Sequence, residues 1–294
     1  LHRLNMWILF YKTTSFLAKI LPRKVALFIT DRLAEGAYFV SFKRARPIAL
    51  KNLRFALRGL RDEGDVKFLI LHQFRQFAWF IYDFLLLPYL DGQKLRGMYE
   101  LIGFSRVVEA LKDGRGIIIL TGHLGNWELG ASALANENIP VTAVSMPHAT
   151  ETVTRFFYGT RLSKGVNSVS VQKAVRIGLK VLRANECLAI LGDRDFTGTG
   201  VPVDFLGGRT VFPIGPMRLA AKTGATICPA FSVRTRDGRY RIYFEDPYKV
   251  REHGDGTPDL DGALKKWSLV LGKYVRLYPT QWFRFDNVWQ STRG

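Results

Sequence analysis

The chain has 294 residues, with 43 Lys and Arg against 25 Asp and Glu for a formal net charge of +18, and it is 47% hydrophobic with 21 Phe, 11 Tyr and 6 Trp. That apolar share excludes a disordered chain, no internal period marks a repeat protein, and two cysteines, Cys187 and Cys228, are too few for a disulfide scaffold. The cation excess calls for a polyanionic neighbour: nucleic acid, an anionic membrane surface or an acidic substrate carrier.

Residues 1–75 hold 15 Lys and Arg but only five acids, so more than half of the excess charge sits in a quarter of the chain. Apolar runs interleave with it. Residues 6–21 read MWILFYKTTSFLAKIL and stop at Pro22. A membrane span needs about 20 mostly apolar residues, and this run is short and contains Lys12 and Lys19. It fits an interfacial helix, with Trp7, Phe10, Phe16, Leu17 and Leu21 in the headgroup boundary and the lysines reaching outward. The alternative is a core helix. Residues 26–42 form a second run, broken by Asp31, Arg32 and Glu35, and residues 77–90 (FAWFIYDFLLLPYL) a third, with Asp83 as its one charge. No cleavable signal peptide is recognisable, and because the chain starts on Leu, a native anchor could precede it.

From about residue 104 helices and strands alternate. Residues 105–112, 126–138, 171–184, 213–223 and 260–277 have helical patterns; 116–120 (GIIIL), 141–145, 187–191, 226–233 and 239–245 read as strands, the last two around Arg236-Asp237-Gly238. Gly198–Gly200 reads as a mobile loop. The alternation predicts an α/β fold with a mostly parallel central sheet flanked by helices. Residues 1–100 are expected as a helical membrane-associating layer, and 101–294 as the α/β domain.

The chemistry is densest in Thr121-Gly122-His123-Leu124-Gly125-Asn126-Trp127-Glu128, between a strand and a helix, where open α/β sheets place reacting groups. His123 and Glu128 can be a dyad in which imidazole takes a proton and the carboxylate fixes its tautomer, with the substrate supplying the hydroxyl. They can equally be a loop histidine and a glutamate placed for the helix dipole.

His123-x4-Glu128 opens an ordered series. Arg44-Ala-Arg-Pro-Ile-Ala-Leu-Lys51-Asn52-Leu53 precedes it. Arg161-Leu-Ser-Lys-Gly165, Leu191-Gly192-Asp193-Arg194-Asp195, Val203-Asp204-Phe205-Leu206-Gly207-Gly208, Pro213-Ile-Gly-Pro216 and Leu219-Ala-Ala-Lys222-Thr-Gly-Ala225 follow. The series resembles the bacterial lipid A biosynthesis acyltransferases, which are similar to the wider glycerolipid acyltransferases. The resemblance implies transfer of a fatty acyl chain from a thioester, on acyl carrier protein or coenzyme A, to a glycolipid hydroxyl, with a lipid A precursor as the first candidate acceptor. It implies no resident cofactor, and a place on the cytoplasmic face of the bacterial inner membrane, peripheral or held by one N-terminal anchor. By the same resemblance His123 is the general base and Glu128 its orienting partner. Arg161 lies near the acceptor or the developing oxyanion, Asp193 positions the acceptor or holds Arg161, and Asp195 and Asn126 join the substrate-binding set.

Two features leave the acceptor open. Asp193-Arg194-Asp195 followed by Phe-Thr-Gly-Thr-Gly-Val-Pro-Val resembles the phosphatidylinositol-mannoside acyltransferases of actinobacteria. Pro279-Thr-Gln-Trp282 keeps the family's P-x-Q-W without the His/Arg-rich ending of lipid A enzymes.

No P-loop, dinucleotide fingerprint or nucleophile elbow occurs, and His2, His72, His123, His148 and His253 show no metal-ligand spacing. His148 either lines the cleft or is an ordinary loop residue. Cys187 and Cys228 are expected in the core. A nucleic-acid-binding protein would explain the charge, but helix-turn-helix, zinc-finger and RNP motifs are missing, so no nucleic-acid partner is expected. A non-enzymatic membrane adaptor would leave the His123 series without purpose.

Overall fold

The computed structural model describes residues 2–41, 43–148 and 150–289, excepting the side chains of residues 2–7 and 63. At its centre, among the described residues, is a seven-stranded sheet: β1 (Tyr99–Ile102), β2 (Ile117–Thr121), β3 (Val141–Ser145), β4 (Val166–Ser170), β5 (Cys187–Leu191), β8 (Thr226–Arg234) and β9 (Tyr240–Phe244), in the order β1-β9-β8-β2-β5-β3-β4. All neighbours are parallel except β8 and β9, which form an antiparallel hairpin. The fold is therefore α/β with a mostly parallel sheet. β2 is buried at every position because it lies between β5 and β8 with helices on both faces. Its residues alternate between two cores. Ile118 and Leu120 pack with Phe205, Trp267 and Trp282, and Ile117 and Ile119 with Phe84, Leu129 and Tyr240.

Connections between strands are helical: α6 (Ser105–Leu111) before β2, α7 (Trp127–Asn136) between β2 and β3, and α8 (Glu151–Leu162) between β3 and β4. α9 (Ala174–Arg183) follows a 3-10 turn at Val171–Lys173, α10 (Gly215–Thr223) precedes β8, and α11 (Leu260–Leu277) closes the α/β part. Residues 201–212, to which the sequence pattern assigns no element, form a separate hairpin of β6 (Val201–Phe205) and β7 (Gly208–Phe212). Its two-residue turn puts Leu206 at φ 52° and Gly207 at φ 83°, the left-handed pair that a tight hairpin needs. Cys187 and Cys228 are fully buried strand residues whose thiols burial pushes up, Cys228 to about 12.

Four helices lead into the sheet: α1 (His2–Ile20), α2 (Arg23–Val40), α3 (Ala45–Ala56) and α4 (Glu63–Leu86), followed by α5 (Gly92–Arg96). The run 77–90 is core. Phe80, Tyr82, Phe84, Leu85 and Leu87 are buried, and buried Asp83 accepts from the Tyr240 hydroxyl at 2.5 Å with Arg23 3.6 Å away. Burial holds the Asp83 carboxyl above its usual range despite both arginines, Arg23 and Arg234, beside it. α1 and α2 are different: Leu9, Phe10, Phe16, Phe28, Leu33 and Phe39 are exposed. Of the expected boundary residues, Phe10, Phe16 and Leu17 face outward, Leu21 packs on Ala18, Ala26 and Tyr82, and the Trp7 side chain lies outside the described set. No helix among the described residues is long and apolar enough to cross a membrane.

α3 and α4 also pin the C-terminal segment 279–289 across the end of the sheet. The Asn52 amide donates to the main-chain carbonyls of Arg284 and Asp286 at 2.9 and 2.8 Å, and the Gln73 amide donates to that of Trp282. Gln281 does the same from the segment itself, accepting from the Arg234 N–H and donating to its carbonyl.

Candidate active site

β2 and β5 are neighbours in register, Thr121 opposite Leu191, and the chain leaves both strands at the same end of the sheet. Two residues further on stand His123 and Asp193, so equal steps from a shared register bring them together. Gly192 N–H donates to the Thr121 carbonyl at 2.7 Å and holds the two exits side by side. The Asp193 carboxylate then receives two bonds from His123, one from its backbone N–H at 3.0 Å and one from ring Nδ1 at 2.7 Å.

A carboxylate can only accept, so Nδ1 carries the proton and Nε2 is left as the basic nitrogen. The His123 side chain is 17% exposed and that of Asp193 1%. The base is therefore reachable from outside while its partner is sealed. Burial alone would raise the Asp193 carboxyl. The charge and hydrogen bonds of His123, with the nearby Arg284, instead bring it down to about 2.

Arg284 is a site residue that no sequence motif singles out. It is buried, its guanidinium donates to the Asp193 main-chain carbonyl, and Nη1 lies 3.7 Å from the Asp193 carboxylate. Its remaining nitrogens grip Asp286 at 2.8 and 2.9 Å. The signal that could have found it is the pair Arg284-x-Asp286, an arginine and a carboxylate embedded in the apolar run after P-x-Q-W.

The loop geometry depends on two glycines. A Cβ on Gly125, at φ 67°, would lie 2.0 Å from the Ser232 carbonyl oxygen, and one on Gly122 would meet Leu271 at 2.8 Å and the Asp193 carboxylate at 3.4 Å. At Gly125 the obstacle is backbone, so that change would push the His123 turn off the sheet, whereas at Gly122 the Leu271 side chain would have to give way.

Glu128 does not contact the His123 ring. It begins the first turn of α7 facing the other way, where Arg161 from the last turn of α8 donates Nε and Nη2 to its two oxygens at 2.8 and 2.7 Å. The expected His123–Glu128 contact is replaced by two separate pairs, His123–Asp193 and Glu128–Arg161, because helical rotation turns Glu128 toward α8. Likewise Asp193 holds His123 and Arg284 rather than Arg161. The Glu128–Arg161 pair is buried, and Arg161 Nη1 has no hydrogen-bond partner. Burial works against the guanidinium's charge, but Glu128 overcomes it and raises the Arg161 pKa.

The remaining expected residues are structural in their contacts. Asn126 is buried and caps α7, its side-chain oxygen accepting from the Leu129 N–H at 2.9 Å. Asp195 ties the loop after β5, accepting from the Thr197 N–H and hydroxyl and from the Gly200 N–H. His148 stacks on Phe157 at 3.9 Å; burial and the Arg161 charge push its pKa down. Aromatic rings surround the reachable face of His123: Trp127 at 5.3 Å and Phe196 at 6.5 Å, with Phe80 of α4 4.3 Å from Trp127. Among the described residues no group of three or more His, Cys, Asp or Glu is arranged to hold a metal ion.

The family model described as bacterial lipid A biosynthesis acyltransferase matches residues 1–291. A phosphatidylinositol mannoside acyltransferase of Mycolicibacterium smegmatis is 28% identical over 69% of this chain and 66% of its own length. One from Mycobacterium tuberculosis is 31% identical over 49% of this chain and 47% of its own. A lipid A biosynthesis acyltransferase of Haemophilus influenzae is 27% identical over 49% of this chain and 46% of its own. The chain thus spans less than two thirds of the length of each of these curated relatives. With the family model matched over residues 1–291, the chain belongs to the bacterial lipid A biosynthesis acyltransferase family.

Proposed function

We propose that this protein transfers a fatty acyl group from a thioester to a hydroxyl of a glycolipid. The observation that carries the reading is the His123–Asp193 pair, a base with one nitrogen committed to a sealed carboxylate and the other free on an aromatic-lined face. The acceptor hydroxyl gives its proton to His123 Nε2 as its oxygen attacks the thioester carbonyl carbon. Asp193 steadies the imidazolium that forms. The tetrahedral intermediate collapses by breaking the carbon–sulfur bond, and the departing thiolate takes the proton back from His123. No acyl-enzyme is involved.

Arg161 is a positioned cation for the acceptor or the developing oxyanion, and Glu128 sets its place; its unpartnered Nη1 is the group available for that contact. Asp195 and Asn126 serve by shaping the two loops around His123. A lipid A precursor is the first acceptor to try. A mannosylated inositol lipid is the second, favoured by the Asp193-Arg194-Asp195 sequence and by the relatives named for that lipid.

The protein acts at the cytoplasmic face of the membrane, peripherally, through the exposed apolar residues of α1 and α2 and the cations among them, each of which contributes about 1 kcal/mol near an anionic surface. The test is transfer of labelled acyl chains from acyl carrier protein or coenzyme A to each glycolipid by the purified chain. His123→Ala should lower the rate on the order of 100-fold or more. A variant as fast as the parent would overturn the mechanism.

A further inference from the structure

Two donors stand beside the Asp193 carboxylate, and only one of them bonds to it. His123 takes both oxygens, ring Nδ1 on Oδ1 at 2.7 Å and its backbone N–H on Oδ2 at 3.0 Å. Arg284 stops short. Its Nη1 lies 3.7 Å from Oδ2, beyond hydrogen-bond range, and donates instead to the Asp193 main-chain carbonyl. A buried guanidinium with a buried carboxylate in reach ordinarily closes on it through two parallel bonds, because that planar fork is the strong pairing.

The counterweight is Asp286. Its two oxygens accept from Arg284 Nε and Nη2 at 2.8 and 2.9 Å, so the fork is already filled and only Nη1 is left on the Asp193 side. Arg194 Nε lies 3.3 Å from the same Asp286 carboxylate and adds a second cation to it. Burial opposes the charge of Asp286, yet the two arginines hold its carboxyl below the usual range, so it stays ionised and keeps its grip. From Arg194 through Asp286 and Arg284 to Asp193 the side chains alternate in sign, and each cation is turned toward position 286. The segment itself is anchored elsewhere, by the main-chain carbonyls that Asn52 and Gln73 hold.

Resting on the reading of His123 as the base, we propose that Asp286 is a positioning residue: it keeps Arg284 from capturing the Asp193 carboxylate and so reserves that carboxylate for His123. Asp286 touches Arg284 and Arg194 rather than the imidazole, so it acts through them. Without it, Arg284 is free to turn its fork onto Asp193. Nδ1 then loses its acceptor, and the imidazole loses both its fixed tautomer and its orientation.

The test is a cycle of Asp286→Ala, Arg284→Met and the double variant in the full chain, read by kcat at saturating substrates and by the histidine ring-nitrogen NMR spectrum in detergent. Asp286→Ala should lower kcat about tenfold or more with each KM within a few-fold, and Arg284→Met only about threefold. The double variant should match Arg284→Met, so that the second substitution restores rate that the first removed. The spectrum should follow the same order. The Nδ1 proton signal, at low field while it bonds the carboxylate and assigned by its loss in His123→Ala, should be present in the parent, Arg284→Met and the double variant and missing in Asp286→Ala. A mere anchoring role predicts a double variant as slow as Asp286→Ala or slower, and that result overturns the proposal. Parental kcat and an intact Nδ1 signal in Asp286→Ala overturn it as well. If Asp286→Ala does not fold, Asp286→Asn, which keeps one acceptor, replaces it with about a threefold loss and the same rescue. If the parent transfers no acyl group, the acyltransferase reading fails, and the spectra alone decide the role of Asp286.

Discussion

Glu128→Gln separates a carboxylate that orients His123 from one that holds Arg161. In the structure Glu128 accepts two bonds from Arg161, and the two side chains are 8% and 9% exposed. Removing one charge of a buried pair leaves the other desolvated and uncompensated, a loss of about 3–5 kcal/mol. The substituted amide would keep one acceptor for the guanidinium, which places the expected loss near the lower end, about 3 kcal/mol. Arg161 Nη1 already lacks a partner, so the site has no spare acceptor to absorb the change.

Urea unfolding in detergent gives the value, provided the slope with denaturant is unchanged. Arg161→Met should be similarly destabilised, and the double variant Glu128→Gln/Arg161→Met, with both charges gone, should recover about 1–3 kcal/mol relative to additivity. Turnover should fall in all three, because Arg161 is displaced or absent. Stability of Glu128→Gln within about 0.5 kcal/mol of the parent, with additive behaviour in the cycle, would refute the reasoning. Glu128 would then act on the substrate directly rather than through Arg161.

Two further outcomes follow from the same structure. Phe16→Glu/Phe28→Glu/Leu33→Glu places charges on exposed apolar positions of α1 and α2, so binding to anionic vesicles should drop severalfold with little change in urea stability; unchanged sedimentation with vesicles would remove these helices as the membrane face. Asp193 has a folded pKa of about 2, below its ordinary 3.8, so its contribution is present above about pH 4 and is lost as pH falls through about 2. Between those values the parent should lose about 2 kcal/mol more stability than Asp193→Asn, and parallel pH profiles for the two would contradict the depressed carboxyl.

The strands and helices that carry the site can be read from the sequence because their patterns are strong. GIIIL is a short branched apolar run, and the bounds expected for β3, β5 and α11 coincide with the observed ones. β4 is hidden because VNSVS is polar enough for an edge strand, and α8 because its residues 151–162 mix charged and apolar residues. The hairpin 201–212 reads as the continuation of a glycine-rich loop. Its register depends on the Leu206-Gly207 turn rather than on any apolar run.

The partner of His123 differs from the expected one for a physical reason. Proximity along the chain favours Glu128, five residues on, whereas strand order decides the matter. β2 and β5 lie side by side, so residue 193 comes closer to the imidazole than residue 128 does. Arg284 is hidden for the same reason. It reaches Asp193 only because Asn52 and Gln73, from helices more than 200 residues earlier in the chain, hold the C-terminal segment across the sheet end.

The central proposal is that Asp193, not Glu128, is the carboxylate behind the His123 imidazole that serves as the base. The most direct test is kcat for Asp193→Asn with saturating thioester and glycolipid, read beside the acceptor KM. An amide cannot stabilise the imidazolium and can favour the wrong tautomer, so kcat should fall on the order of 100-fold or more while the acceptor KM stays within a few-fold. Turnover within about fivefold of the parent would contradict the account.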